Sequence, residues 1–395
     1  MARKTSIDTY WNSKTIFAFG LYRYIGQILG IWPTKCENFI SIFSMLFAAF
    51  TQITMIFEII AEVIITKQVN PQNMSFMSCN FLSLIKIIII RLNYKKMKLI
   101  LETLVDAWNT ELDKTALKIM QSTARLERKI CIYELGTTYF VIVPTIFFAI
   151  PYFGPNGIIN GTDINLRSYP VQTPHVFAGL STWMYCILFI FQSIQLILTC
   201  TGNVGNDCWF FGFAMCLRAR IQCLSLKFQN LDFSTKDLVD RNISEIVEKH
   251  IHLVKLAQNL EHTFKFIILC IVVFNVSQVC FYGIQMIRCI KSGDIVIIIN
   301  TLICIFLLNF QIYLYSWAGD ELSSSIEDIR LAAFNSPWYD TSLRHKRDII
   351  FIMTRTQSTF ALTAGKIYRM DLDSFKNIIK AIASYFSVMQ AMFNE

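Results

Sequence analysis

Long apolar segments with few charged residues are the feature that most restricts how this chain can fold. A helix that crosses a bilayer needs about 20 predominantly apolar residues. The 395-residue sequence is 54% hydrophobic and only 16% charged, whereas soluble domains carry about 25% charged residues. We therefore predict an all-α membrane protein whose seven transmembrane helices occupy the ranges 38–65, 74–90, 131–151, 177–203, 262–287, 294–319 and 356–393.

Lysine and arginine are unequally distributed between the two sides of these predicted helices. The N-terminal segment and the connections on its side hold 26 of the 36 Lys and Arg residues, and the alternate connections hold 4. Because positive residues accumulate in cytoplasmic connections, we expect a cytoplasmic N-terminus and, after seven crossings, an extracellular C-terminus. The glycosylation sequons at Asn73 and Asn160 fall in connections on the expected outer side.

The connections on the cytoplasmic side are expected to be helical. Apolar residues recur at helical spacing in 91–130 and in 235–260, which predicts extensions of the spans that pack as an anchor bundle. A membrane-surface helix or a calmodulin target stays open as the alternative. The expected organisation has three parts: a cytoplasmic N-terminus with an interfacial helix (1–37), helices one to six with these extensions (38–355) and a seventh helix (356–395).

Motifs that carry catalysis or hold cofactors are absent from the sequence. It contains no HExxH, GxSxG, Walker or Rossmann glycine motif, and its 12 cysteines include no CxxC pair. The net charge of +8 could indicate nucleic acid, but most positive residues lie in the cytoplasmic connections of a membrane protein. We therefore expect no enzymatic activity, no cofactor, no metal site and no nucleic-acid partner, but a lipid bilayer around the helices.

The last predicted helix differs from the others. Only Ala381 to Phe393 is free of charge, and thirteen residues rise about 20 Å, less than the roughly 30 Å hydrocarbon core. Ser384, Val388 and Met392 are spaced by four residues and share one helix face. In a symmetric assembly this face would line a pore with hydrophobic constrictions that close by dewetting. An ordinary buried helix is the alternative.

Short elements of the C-terminal third follow one another in a characteristic order. They are Gly319, Leu322, Ser325, Ala333-Phe334, Pro337-Trp338-Tyr339, Arg355-Thr356-Gln357-Ser358, Ala364-Gly365, Phe375 and Ser384-Tyr385-Phe386. Their order and spacing, together with Pro144 in the third predicted helix, resemble the insect odorant receptors. In the remaining two thirds, the resemblance lies mainly in topology and connection lengths.

This resemblance implies an odorant-gated, non-selective cation channel. It implies a tuning subunit that joins a shared co-receptor subunit in a heterotetramer, in the plasma membrane of olfactory sensory neuron dendrites. The positions that match the family's pore gate are Val388 and Met392, which agrees with the helix face described above. The 58-residue segment between spans four and five is too short for the co-receptor itself.

The resemblance also implies a pocket for a small hydrophobic odorant in the outer half of the bundle, among spans two to six. The candidate ligand-binding residues share helix faces at suitable depth, and they are Met77, Asn80, Phe81, Tyr133, Gly136, Phe140, Phe147, Trp183, Met184, Leu188, Gln278 and Tyr282. Aromatic and Met side chains suit small apolar ligands through dispersion and shape. Plain helix packing would produce the same stripes and stays open for each residue.

Three other classes of protein remain as alternatives. A G-protein-coupled receptor requires an extracellular N-terminus and usually an acidic-Arg-aromatic triplet at the end of span three, where this chain has Ile150-Pro151. A gustatory receptor of the same superfamily has a terminal signature that the residues after Ser384-Tyr385 match only in part. A secondary transporter would show internal repeats, which the sequence lacks.

Overall fold

The structure of the chain, a computed structural model, describes residues 11–150, 168–231, 236–340, 342–355 and 360–394. Its helices are α1 (Ser13–Ile28), α2 (Phe39–Thr66), α3 (Pro71–Leu92), α4 (Tyr94–Thr110), α5 (Lys114–Phe148), α6 (Thr182–Gln229), α7 (Lys236–Ser292), α8 (Ile295–Asn335), α9 (Leu343–Arg355) and α10 (Leu372–Asn394). A short 3-10 turn at Trp338–Asp340 precedes α9. A hairpin of two short strands, β1 (Thr363–Ala364) and β2 (Tyr368–Arg369), precedes α10.

Six helices in the described ranges are long and apolar enough to cross a membrane, namely α2, α3, α5, α6, α7 and α8. They correspond to the first six predicted spans, so the predicted all-α membrane fold is confirmed. The fourth of them begins at Thr182 rather than at 177, because the Ser181 hydroxyl caps it by accepting a hydrogen bond from the Met184 amide (3.5 Å). The side of each terminus and a seventh crossing by α10 stay predictions.

Three helices extend well beyond the thickness of a membrane. The helices α6, α7 and α8 contain 48, 57 and 41 residues, which corresponds to about 72, 86 and 62 Å at 1.5 Å per residue. The hydrocarbon core is roughly 30 Å thick, so each helix continues outside it. Met97 and Leu101 of α4 are buried in the same hydrophobic core as Leu256 and Leu260 of α7. The predicted helical extensions are therefore present as a packed bundle.

The N-terminal helix α1 is attached to this bundle through one face. Phe19, Tyr22 and Ile25 are buried, and the indole nitrogen of Trp209 in α6 donates a hydrogen bond to the Tyr22 carbonyl (2.9 Å). Tyr24 lies on the outer face and is exposed. The helix that was predicted to be interfacial thus uses one face for contacts with protein.

The range 356–393, predicted as one span, is not a single helix. Within its described part, the strand pair Thr363–Arg369 and Ala364–Tyr368 forms an antiparallel hairpin. Gly365 turns the chain at φ 62°, a conformation that glycine adopts without strain, and its amide donates a hydrogen bond to the Lys265 carbonyl of α7 (2.7 Å). Helix α10 therefore begins only at Leu372.

The start of α10 and its contact with α8 have clear local causes. The Asp371 carboxylate caps the helix by accepting a hydrogen bond from the Ser374 amide (2.8 Å). Gly319 of α8 packs directly against the backbone carbonyl of Met370, where a Cβ atom would collide with that oxygen and lie 3.2 Å from the Leu362 Cβ. The absence of a side chain at Gly319 thus lets α8 approach the segment that leads into α10.

Substitution of Gly319 by alanine is expected to destabilise the protein, because the added methyl group must displace the Met370 carbonyl. Overpacking of this kind costs about 1–3 kcal/mol. We expect a lower thermal unfolding midpoint of the detergent-solubilised protein. Gly136→Ala is the matched control, since a Cβ at Gly136 meets nothing within 4 Å and alanine favours helix by about 0.5–1 kcal/mol. Equal midpoints for both variants would contradict the close approach.

Candidate functional site: a cavity among five helices

A cavity of about 320 Å³ lies among α3, α5, α6, α7 and α8, with Met55 of α2 and Gln172 of the segment before α6 completing its wall. Cavities that bind small molecules generally measure about 300–1,000 Å³. The position of each lining residue along its helix gives its depth in the cavity. Glu134, Asp207, Asn275 and Gln311 are the lining residues of their helices that lie farthest from the α2–α3 and α7–α8 connections, and together with Asn203, one turn from Asp207, they form the floor.

A buried ion pair lies at the floor of this cavity. The Lys86 ammonium of α3 is 2.7 Å from the Asp207 carboxylate of α6, and the two side chains are 0% and 2% exposed. Lys86 also donates a hydrogen bond to the Asn203 carbonyl (3.2 Å). Asp207 accepts further hydrogen bonds from the amide of Gln311 and from the hydroxyl of Tyr315 (2.7 Å), both on α8. These partners compensate charges that would be very costly to bury alone.

The middle of the cavity contains paired polar groups among apolar side chains. The Thr199 hydroxyl of α6 donates a hydrogen bond to the Asn80 side chain of α3 (2.7 Å). The Cys79 thiol of α3 contacts the side-chain oxygen of Gln278 in α7 (3.3 Å). Together with Cys79, Cys200 and Cys304 give the wall three thiols. All twelve cysteines lie in the described part of the chain, and none of them forms a disulfide.

The segment before α6 is held over the C-terminal end of α2 by a glutamate. The Glu62 carboxylate accepts hydrogen bonds from the amides of His175 (3.1 Å) and Val176 (3.0 Å), and it lies 2.6 Å from the His175 ring. One turn away, Glu58 accepts a hydrogen bond from the Gln192 side chain (3.0 Å). Glu62 therefore positions the segment that contributes Gln172 to the cavity, and Glu58 joins α2 to α6.

Three of the twelve residues predicted to bind odorant line this cavity, namely Asn80, Gln278 and Tyr282. The other nine do not line it. Met77 and Leu188 are half-buried elsewhere, and the remaining seven are exposed on the outside of the bundle: Phe81, Tyr133, Gly136, Phe140, Phe147, Trp183 and Met184. An aromatic stripe on a membrane helix faces lipid as readily as a ligand, which explains why the predicted aromatic residues lie outside the cavity. Ligand contact stays a prediction for all twelve residues.

Sequence reasoning missed most of the wall because the wall is rich in amides. The lining residues that were not predicted include Gln72, Glu134, Thr199, Asn203, Asp207, Asn275, Gln285, Asn300, Thr301 and Gln311. Polar residues inside spans are costly and usually face the bundle interior. Asn275 and Gln278 on α7 and Thr301 on α8 are polar residues in otherwise apolar sequence, and this pattern indicates that they face the bundle interior.

The remaining candidate residues lie away from the cavity. Asn73 is buried, and its side-chain amide donates a hydrogen bond to the Gln172 carbonyl (2.8 Å), so a glycan there would require this contact to open. Asn160 lies outside the described residues. Ser384 is exposed on α10. The helix also includes Val388 and Met392, but their side chains lie outside the described part. Glycosylation and pore lining stay predictions for these residues.

Comparison with known proteins agrees with a helical membrane protein that contains a small-molecule cavity. The model of the 7tm Odorant receptor family matches residues 69–383. Odorant receptor 85f of Drosophila melanogaster is 22% identical over 267 residues, which cover 66% of this chain and 65% of that protein. Odorant receptor 10 of Aedes albopictus is 21% identical over 258 residues, which cover 64% and 65% respectively. The alignments thus span slightly less than two thirds of these relatives.

Solved structures show the same fold. The insect olfactory receptor OR5 from Machilis hrabei superposes with a TM-score of 0.74 at 14% identity, covering 95% of this chain and 99% of that one. Its complex with eugenol gives a TM-score of 0.75, also at 14% identity, and covers 96% and 100%. The fold is thus that of a solved insect olfactory receptor. The chain belongs to the 7tm odorant receptor family.

Replacement of Lys86 by methionine is expected to destabilise the protein strongly, because the Asp207 carboxylate would stay buried without its cation. Loss of one partner from a buried pair costs about 3–5 kcal/mol. We expect a clear fall in the thermal unfolding midpoint, with partial recovery in the Lys86→Met/Asp207→Asn double variant. Lys98→Met is the control, since Lys98 and Glu102 form an exposed pair worth less than about 1 kcal/mol. Similar midpoints for Lys86→Met and Lys98→Met would contradict this role.

Proposed function

We propose that this chain is the ligand-binding subunit of an odorant-gated, non-selective cation channel, and not an enzyme. The observation that carries the proposal is the position of the cavity among five helices of the bundle. Its volume of about 320 Å³ is at the lower end of the range for small-molecule sites, which suits a small volatile ligand. Eugenol, bound by the Machilis receptor of the same fold, is a compound of that size class.

The proposal includes α10 as the seventh crossing, with its outer turns at a pore shared between subunits. Near its beginning α10 is packed through Ser374 and Ile378. Several residues farther along are exposed in the isolated chain: Ala381, Ala383, Ser384, Tyr385 and Ser387. Exposed serines on a helix with incomplete apolar cover support a position where neighbouring subunits and water meet it.

The proposed assembly is a heterotetramer with a shared co-receptor subunit. The excess of Lys and Arg in alternate connections supports a cytoplasmic N-terminus and hence an extracellular end of α10. The six long apolar helices support a multi-pass protein, which we place in the plasma membrane of olfactory sensory neuron dendrites. The family match to odorant receptors favours this class over gustatory and G-protein-coupled receptors.

A cavity-filling substitution tests the ligand site. In Cys304→Phe, the added ring would occupy part of the cavity wall that Cys304 lines, so we expect at least a roughly tenfold loss of odorant potency. The measurement is the current evoked by an odorant panel in cells that co-express a co-receptor. Cys186→Phe is the matched control, because Cys186 is exposed on α6. Unchanged potency in Cys304→Phe, or an equal loss in Cys186→Phe, would remove the cavity as the odorant site.

Substitutions on the outer turns of α10 test the pore. We expect Val388→Ala and Met392→Ala to widen a hydrophobic constriction and so to change conductance, relative cation permeability or access of pore blockers. Single-channel and reversal-potential recordings of the co-expressed channel measure these properties. Val69→Ala, at an exposed position between α2 and α3, is the control for the loss of a valine. If both α10 variants behaved as Val69→Ala does, these residues would not line the pore.

A further inference from the structure

The floor of the cavity contains hydrogen-bond acceptors that have no donor among the described residues. They belong to Asn275 and Asn203, which line the cavity from α7 and α6. We propose that the ligand carries a hydrogen-bond donor, as an alcohol, a phenol or an amine does, and that this donor binds these two residues. The inference rests on the proposed function, since it specifies the chemical class of the odorant.

Asn275 provides the first acceptor. Its side chain is 0% exposed, and its amide nitrogen donates hydrogen bonds to the Leu308 carbonyl (3.1 Å) and to the Gln311 side-chain oxygen (2.7 Å). A backbone carbonyl can only accept, so this contact determines which end of the amide is the nitrogen. The oxygen of Asn275 is buried and finds no partner among the described residues.

Asn203 provides the second acceptor by the same reasoning. Its amide nitrogen donates a hydrogen bond to the backbone carbonyl of Cys79 (2.8 Å), which again determines the orientation of the amide. Its side-chain oxygen is buried and has no hydrogen-bond partner in the described part of the chain. Two amide oxygens from facing helices are thus available at the same end of the cavity.

Gln278 adds a donor on the same wall. Its side-chain oxygen is contacted by the Cys79 thiol, and its buried nitrogen has no partner in the described ranges. A ligand hydroxyl can donate to Asn275 or Asn203 and accept from Gln278 at the same time, whereas an ammonium group can only donate. An ether or a hydrocarbon leaves the acceptors unpaired, which lowers affinity because buried polar groups need partners.

A matched ligand series tests this inference. The probes are small primary alcohols and phenols, their methyl ethers and primary amines of similar size. We expect alcohols, phenols or amines to bind at least about tenfold more tightly than ethers. Binding is measured by the shift in thermal unfolding of the purified protein, and gating by current in co-expressing cells. Ethers that match the alcohols in both measurements would overturn the inference.

Variants of the floor identify the acceptors. We expect Asn275→Leu to lose most of the alcohol-to-ether preference, and Asn275→Asp, which retains acceptor oxygens, to keep part of it. Asn203→Leu, which removes the second acceptor, should reduce the preference in the same way. Thr137→Val on α5 is the control, because Thr137 does not line the cavity and its hydroxyl already donates to the Tyr133 carbonyl (2.8 Å). A preference that survives both Asn275→Leu and Asn203→Leu would overturn the assignment.

The same measurements separate this inference from the proposed channel function. If alcohols and ethers evoke equal currents through equal binding, the odorant-gated channel stands and the donor requirement fails. If alcohols bind more tightly than ethers but no probe evokes current with a co-receptor, the donor requirement stands and the gating function fails. If no probe shifts unfolding and none evokes current, both fail.

Discussion

The ion pair of Lys86 and Asp207 is almost completely buried between α3 and α6, directly below the cavity. Hydrocarbon offers no hydrogen-bond partners, so a charge at this depth is tolerable only if protein groups surround it. Asp207 meets this requirement through Gln311 and Tyr315 of α8 as well as through Lys86. One carboxylate therefore joins three of the five helices that form the cavity, and the geometry of the floor depends on it.

The same network connects the cavity with the C-terminal helix. Gln311 contacts Asp207 and Asn275, and Gly319 lies eight residues farther along α8, about 12 Å at 1.5 Å per residue. There the helix packs against Met370, one residue before the cap of α10. The single helix α8 thus connects the cavity floor with the start of α10. A ligand changes the balance between two conformations only as far as it binds one of them better than the other. Ligand contacts at the cavity floor are connected to α10 through α8.

The fold was largely predictable from the sequence, because each long helix contains an apolar segment that is long enough to cross a membrane. The hairpin before α10 was not, since it depends on the Gly365 turn and on the Lys265 carbonyl about a hundred residues earlier. The cavity was predictable only in part. Asn80 and Gln278 were identified, whereas aromatic residues such as Trp183, 83% exposed, have the same periodicity as a pocket wall. Periodicity gives the face of a helix, but the neighbours of that face follow from tertiary packing.

Polar side chains separate cavity from lipid better than aromatic ones do in this bundle. An exposed aromatic on the outer surface costs nothing in hydrocarbon, whereas an amide such as Asn275 must be turned inward and paired. Its nitrogen is paired, and its oxygen has no partner among the described residues, which favours a ligand with a matching donor over one without it. Under the proposed gating function, such a ligand opens the channel only as far as it binds the open arrangement better than the closed one.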